Sequence, residues 1–368
     1  MPDSISHSSF KDLLCSNTPL LDVRAAIEYD RGALPNSFNV PLLNDKQRER
    51  VGTVYKEQGR EEAIALGYKL IDSDKKAQRI AQWEAFIEKH PDSVLYCFRG
   101  GQRSQITQLW LKERGLDIPR IEGGFKSVRQ FLIKEIERAT QQHQFLIAGG
   151  KTGCGKTHLI NKLKSSIDLE GRANHRGSAF GRRVSAQPNQ INFENTLALD
   201  FLTLAKHEPQ RIFIEDESHS IGSIHLPPVL HEKMKKSPLA IIESTVEERT
   251  SVIFNDYIHD NYMDFVAGDS VNGYRLFSDS LLSSLEKIKR RLGGELYSEI
   301  KKLMEAALNH HSTSGDGILH RDWIKLLLIR YYDPMYDYQL GKKSDRIVFR
   351  GNSIEFIDWA KHLSEKNH

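Results

Sequence analysis

Two stretches of this chain gather residue types that handle anions. In QFLIAGGKTGCGKTHLI, residues 144–160, the apolar run from Phe145 to Ala148 reads as a buried strand, and the pattern G-x-x-x-x-G-K-T follows from Gly150 to Thr157. Leu159, Ile160 and Leu163 then resume at helical spacing. Gly150, Gly153 and Gly155 let successive backbone N–H groups turn inward around an anion, Lys156 reaches the outer phosphate, and the Thr157 hydroxyl is placed to hold a magnesium ion. Such a loop cradles any diphosphate, so it leaves open what that diphosphate is attached to.

The second stretch is SVLYCFRGGQRS, residues 93–104. Val94, Leu95 and Tyr96 read as a short buried strand, and Cys97 opens a loop in which Gly100 and Gly101 free the backbone to curl. Ile106, Leu109, Trp110 and Leu111 follow at helical spacing, so the loop should end at a helix N-terminus. Arg99 and Arg103 bring charge to it. A thiol in that electropositive setting is expected to be a nucleophile, which makes Cys97, Arg99 and Arg103 the candidate catalytic set.

The elements that must position these loops fall into an α/β pattern. At 368 residues two domains are expected. Residues 1–138 read as the first, closing on an amphipathic helix with Val128, Phe131, Leu132 and Ile136 on one face; the polar run 139–144 reads as a linker. Residues 145–277 read as a second α/β domain, with further strands at Arg211–Ile214 and Leu239–Ile242. Residues 278–368 read as mostly helical, where Leu281, Leu282, Leu285, Ile288 and Leu292 make a packing stripe. Glu215 and Asp216, at the end of the Arg211 strand, are the candidate acids for magnesium.

The formal charge of +3 excludes a generally basic nucleic-acid binder, and the split is even: 22 Lys+Arg against 20 Asp+Glu in residues 1–140, 30 against 29 beyond. Any polyanion must therefore meet a local patch. Residues 169–183 carry Arg172, Arg176, Arg182 and Arg183 among three glycines and are the first candidate for RNA backbone. Tyr336, in a tyrosine-rich run near the C-terminus, is the candidate for stacking on a splayed base. Three cysteines suggest neither a disulfide framework nor a zinc site, and no apolar run approaches the ~20 residues that span a bilayer. A cytoplasmic protein with no obligate protein partner and no membrane contact is expected.

LLDVRAAIEYDRGALPNSFNVPLL, residues 20–43, resembles the opening of a rhodanese domain, and IEGGFKSVR, residues 121–129, resembles the strand and glycine pair that follow its active-site helix. One departure stands out. Five residues separate Cys97 from Arg103, where the common single-domain sulfurtransferase loop has four; related cell-cycle phosphatases have five, so phosphatase chemistry stays open. A rhodanese-like domain followed by a P-loop NTPase-like domain, with HRGSAFG at 175–181, EDES at 215–218 and YYDPMYDY at 331–338, resembles the tRNA 2-selenouridine synthases.

That resemblance implies a transferase that S-geranylates wobble 2-thiouridine of tRNA from geranyl diphosphate and then exchanges the geranylthio group for selenium from selenophosphate. Gly150, Gly153, Gly155, Lys156 and Thr157 match the family's phosphate loop and would hold the diphosphate, with magnesium, and Cys97 would match the family's essential cysteine. The alternatives are an ATP-dependent tRNA sulfurtransferase or kinase, and a phosphatase-like or non-catalytic rhodanese signalling module.

Overall fold

The computed structural model describes residues 3–207 and 209–365. The chain forms two compact units: one runs to Ala139 and adds Asn189–His207, and the other takes Thr140–Pro188 and the chain beyond His207.

The first unit is built on a five-stranded parallel sheet of β1 (Ser4–Ile5), β2 (Leu20–Asp22), β3 (Ser37–Asn39), β4 (Val94–Tyr96) and β5 (Arg120–Ile121), in the order β1-β5-β4-β2-β3. Its central strands β2 and β4 are buried along their whole length, as parallel strands covered by helices on both faces must be. Leu21, Leu95, Trp83, Trp110 and Leu111 form the core beneath Cys97. Asp22 is also fully buried and is neutralised by Arg24, whose Nη2 lies 2.6 Å from Oδ2 and also donates to the Gly32 carbonyl. A buried carboxylate needs such a partner.

The helix Gly124–Gln142 buries Val128, Leu132 and Ile136, and the stripe continues through Ala139 and Thr140. The run 139–144, read as a linker, is the last turn of that helix and the start of the next strand. Composition is polar there, but every third or fourth position still faces the core. The helix Gln190–Leu204 also differs from expectation, because it belongs to the first unit. Asn192 accepts from the Ala33 amide at 2.7 Å, Asn195 donates to the Ala33 carbonyl at 2.7 Å, and Arg129 donates to Asn195 at 2.8 Å.

The second unit carries a parallel sheet of β6 (Gln144–Gly150), β7 (Ser166–Ile167), β8 (Arg211–Glu215), β11 (Leu239–Ile242) and β12 (Ile347–Gly351), with a small antiparallel pair, β9 (Ser220–Ile221) and β10 (Ile224–His225), beside it. The order β12-β11-β6-β8-β7 puts the strand that feeds the phosphate loop at the centre. Among the helices that follow, Gly273–Leu292 and Gly294–Ser314 pack through Leu281, Leu285, Ile288, Ile300 and Met304. The region read as mostly helical also returns β12 to the sheet edge, where its residues alternate between half-buried and exposed.

Candidate active site: a cysteine loop and a phosphate loop

In the first unit, β4 delivers Cys97 to a loop that ends at the helix Gln102–Lys112. The glycine pair after β5 secures this loop. Phe125 donates its amide to the Cys97 carbonyl at 2.9 Å, and Lys126 to the Phe98 carbonyl at 3.0 Å. Gly124 has φ +57° and lies so close that a Cβ there would collide with the Cys97 carbonyl, so only glycine permits the approach. The Cys97 side chain is buried, with Sγ 3.3 Å from Ser104 Oγ.

The arginines are arranged differently from expectation. Arg103 is gripped by Glu28, with Nη2 donating to Oε1 at 3.1 Å. Burial works against the Glu28 charge, but Arg103, with Arg48 3.6 Å away, holds this carboxyl below its usual range. Arg99 is exposed and leans over the Phe98 ring at 6.0 Å. Neither guanidinium is therefore spent on the sulfur: one is needed by a buried carboxylate, and the other remains open to an anion arriving from solvent.

In the second unit, the three glycines of the phosphate loop have different reasons to be glycine. Gly155 has φ +78° and caps the five-residue helix Lys156–Ile160; nothing lies within 4 Å of where its Cβ would sit, so only the backbone angle demands it. Gly153 has φ +84° and is hemmed in as well: a Cβ there would lie 2.7 Å from Ile253 Cδ1 and 2.9 Å from the Arg249 carbonyl. Beyond the backbone freedom expected of it, Gly153 lets the loop close against the helix Val246–Ile253. At Gly150 a Cβ would meet the Ile242 carbonyl at 2.6 Å, where the loop leaves the sheet beside β11.

Lys156 Nζ donates to the Gly150 carbonyl at 3.1 Å. Burial opposes its charge, yet Cys154, Glu170 and Glu217 outweigh that and hold the lysine protonated. The Thr157 hydroxyl lies 2.5 Å from Glu215 Oε1 and 3.1 Å from Glu170 Oε2. Burial pushes the Glu215 carboxyl up to about 8, with Glu170 and Asp168 adding to the effect; Glu170 and Glu217 are raised as well, again mainly by burial. Three acids crowded this way share protons unless a cation joins them.

The acid assignments divide. Glu215 lies against Thr157 as expected, whereas Asp216 turns away and pairs with Lys343, Nζ to both carboxylate oxygens at 2.8 Å. The alternation of side chains along an extended segment sends neighbours to opposite sides, so only one of the pair can face the loop. Glu170 takes the second place near Thr157; it sits 45 residues upstream of Glu215 in a stretch without the apolar strand that marks such acids in sequence. The sequence also gave no sign of Arg249, which is buried, clamps Asp333 through two 2.7 Å contacts and donates to the Thr152 carbonyl at 3.3 Å. Among the described residues no cluster of three or more His, Cys, Asp or Glu side chains has metal-ligating geometry. The Thr157–Glu215–Glu170 set is instead the sparse, all-oxygen kind that leaves room for water and phosphate on magnesium.

The arginine-rich loop is not uniformly open to solvent. Arg182 and Arg172 are exposed, while Arg176 is half-buried, donating to Asn261 Oδ1 at 2.7 Å and stacking over Tyr257 at 5.1 Å. Arg183 is half-buried with its Nε in the interior. Tyr336 also differs from expectation. The residue is half-buried: its hydroxyl is in the interior, 3.4 Å from where a Gly149 Cβ would be, and so points toward the phosphate-loop strand. Tyr338 is the exposed tyrosine of that run, with Lys342 Nζ 4.1 Å above its ring.

Comparison with known proteins matches both units. The model of the tRNA 2-selenouridine synthase AAA domain covers residues 143–367, and that of the rhodanese-like domain covers residues 6–130. A tRNA 2-selenouridine synthase from Shewanella woodyi is 44% identical over 364 residues, 98% of this chain and 99% of its own length. Those of Pseudomonas fluorescens and Shewanella frigidimarina are each 45% identical, over 98% and 99% of this chain and 99% and 100% of theirs. With both units and nearly the full length accounted for, the chain belongs to the tRNA 2-selenouridine synthase family.

Proposed function

We propose that this protein forms 2-selenouridine at the wobble position of tRNAs that carry 2-thiouridine there, in two steps run at its two loops. In the first, the thiocarbonyl sulfur attacks C1 of geranyl diphosphate, the C–O bond breaks, and diphosphate leaves with the electron pair. In the second, selenium supplied by selenophosphate attacks C2 of the pyrimidine, the geranylthiolate departs, and water cleaves the selenium–phosphorus bond to release phosphate. Alkylation matters because it makes the sulfur a better leaving group.

The observation that carries this reading is that one chain, similar to the family over nearly its full length, has a buried cysteine loop in one unit and a lysine-bearing glycine loop in the other. Lys156 and the loop amides suit a departing diphosphate, which they would stabilise from fixed positions. Thr157, Glu215 and Glu170 would hold magnesium, which supplies charge neutralisation for the leaving group. The Cys97 loop, with its thiol and with Arg99 exposed beside it, suits selenium handling. Arg172 and Arg182, exposed in the glycine-rich stretch 169–183, would meet tRNA backbone. Incubation with 2-thiouridine tRNA and geranyl diphosphate, then with selenophosphate, tests the reading by mass spectrometry of the nucleosides. S-geranyl-2-thiouridine followed by 2-selenouridine is expected; nucleotide hydrolysis driven by the tRNA, with no geranylated product, would favour an ATP-dependent enzyme instead.

A further inference from the structure

The first unit holds an apolar cleft of about 450 Å³ that the cysteine loop borders. Gly101, Gln102 and Arg103, the residues that turn the chain past Cys97, form part of its wall. Leu42, Ile71 and Trp110 line it too, and all three belong to the same apolar cluster as Cys97. Tyr55 and Tyr68 line it as well and stay largely exposed, at 59% and 48%. Helix Arg60–Leu70 contributes Gly67, where an added Cβ would meet nothing within 4 Å.

This volume falls within the range of small-molecule sites, which are concave and mostly apolar. Apart from Arg60 and Arg103, these walls give the small charged anions of a rhodanese-type cysteine loop little to gain, since burying charge among leucine, isoleucine and tryptophan costs solvation without return. The occupant must be apolar and must also be attached to something that reaches Cys97. Resting on the two-step reading above, we propose that this cleft binds the branched terpenyl chain of the S-geranylated nucleoside during the selenium exchange, and that its depth selects the chain length. The cleft holds the leaving group, while the reacting carbon stays with the loop.

The test uses synthetic anticodon stem–loop RNAs carrying 2-thiouridine S-alkylated with dimethylallyl, geranyl or farnesyl, incubated with the full-length protein and selenophosphate. Gly67→Leu, which fills open space in a helix that tolerates leucine better than glycine, is expected to lower kcat/KM for the geranyl RNA by roughly tenfold or more, the scale of a misfit in an apolar pocket, with little effect on the dimethylallyl RNA. Ile64→Ala, which widens the same cleft, should improve the farnesyl RNA relative to geranyl, and thermal melting shows that both variants are folded. Failure of the wild-type protein to convert the geranyl RNA would overturn the two-step reading and the cleft's assignment with it. Conversion by wild type with all three chain lengths affected equally, or not at all, in both variants would overturn the cleft's role and leave the two-step reading standing.

Discussion

Replacing Lys156 with alanine removes a charge that the structure holds protonated in the phosphate loop. Nζ is already fixed on the Gly150 carbonyl at 3.1 Å, so in the wild-type protein it needs little rearrangement to meet a departing diphosphate. Removing a preorganised electrostatic group of this kind costs about 2.7–4 kcal/mol of transition-state stabilisation, a factor of roughly 10²–10³. The fold should tolerate the change, because Glu170 and Glu217, which now face Lys156, are already raised by burial and can take up protons when it is gone. Single-turnover transfer from geranyl diphosphate to 2-thiouridine RNA should therefore slow by that factor, while selenium exchange on RNA already carrying the geranyl group continues. The two rates are read from the same variant by nucleoside mass spectrometry. Geranyl transfer within about threefold of wild type, a change worth well under 1 kcal/mol, would refute the assignment of Lys156 to the leaving group. An equal loss in both steps would refute the separation of the loops.

Cys97→Ala should show the reverse pattern, with S-geranyl-2-thiouridine accumulating and no 2-selenouridine formed; loss of both products from a folded variant would contradict it. Glu215 gives a pH dependence of known sign: its folded-state value of about 8 lies above the usual 4.5, so the stability it contributes is complete below about 4.5 and is lost as pH rises to 8. The melting temperature of ligand-free wild type should thus fall across that window relative to Glu215→Gln, and parallel curves for the two proteins would show the carboxyl to be unperturbed. Arg182→Ala should weaken tRNA binding and reduce the slope of log affinity against log salt by about 0.7–0.9, because an exposed phosphate contact releases counterions. Arg176→Ala should instead lower stability by about 1.5–3 kcal/mol through its lost bond to Asn261, measured by denaturant unfolding, and an unchanged midpoint would contradict the internal role.

Features set by short-range pattern could be read from the chain alone. The run Phe145–Ala148 followed by spaced glycines, Lys156 and Thr157 can form little else than a strand, a cradle and a helix start, because each step depends on neighbours a few residues away. The same holds for Cys97 between β4 and the helix Gln102–Lys112, and for the strands at Arg211 and Leu239. What needed the folded molecule was the partner of each charge. Glu28 claims Arg103 from 75 residues away, Lys343 claims Asp216 from 127, and Glu170 joins Thr157 although no local signal marks it. Burial raises the cost of an unpaired charge, so whichever opposite group the fold brings near takes it, and spacing in the sequence does not reveal which that is. The packing of Gly153 on Ile253, the helix Gln190–Leu204 and the strand β12 make the same point for the backbone. Apolar residues announce that a segment must be buried, but only long-range packing determines that the helix closes on Ala33 and that β12 pairs with β11.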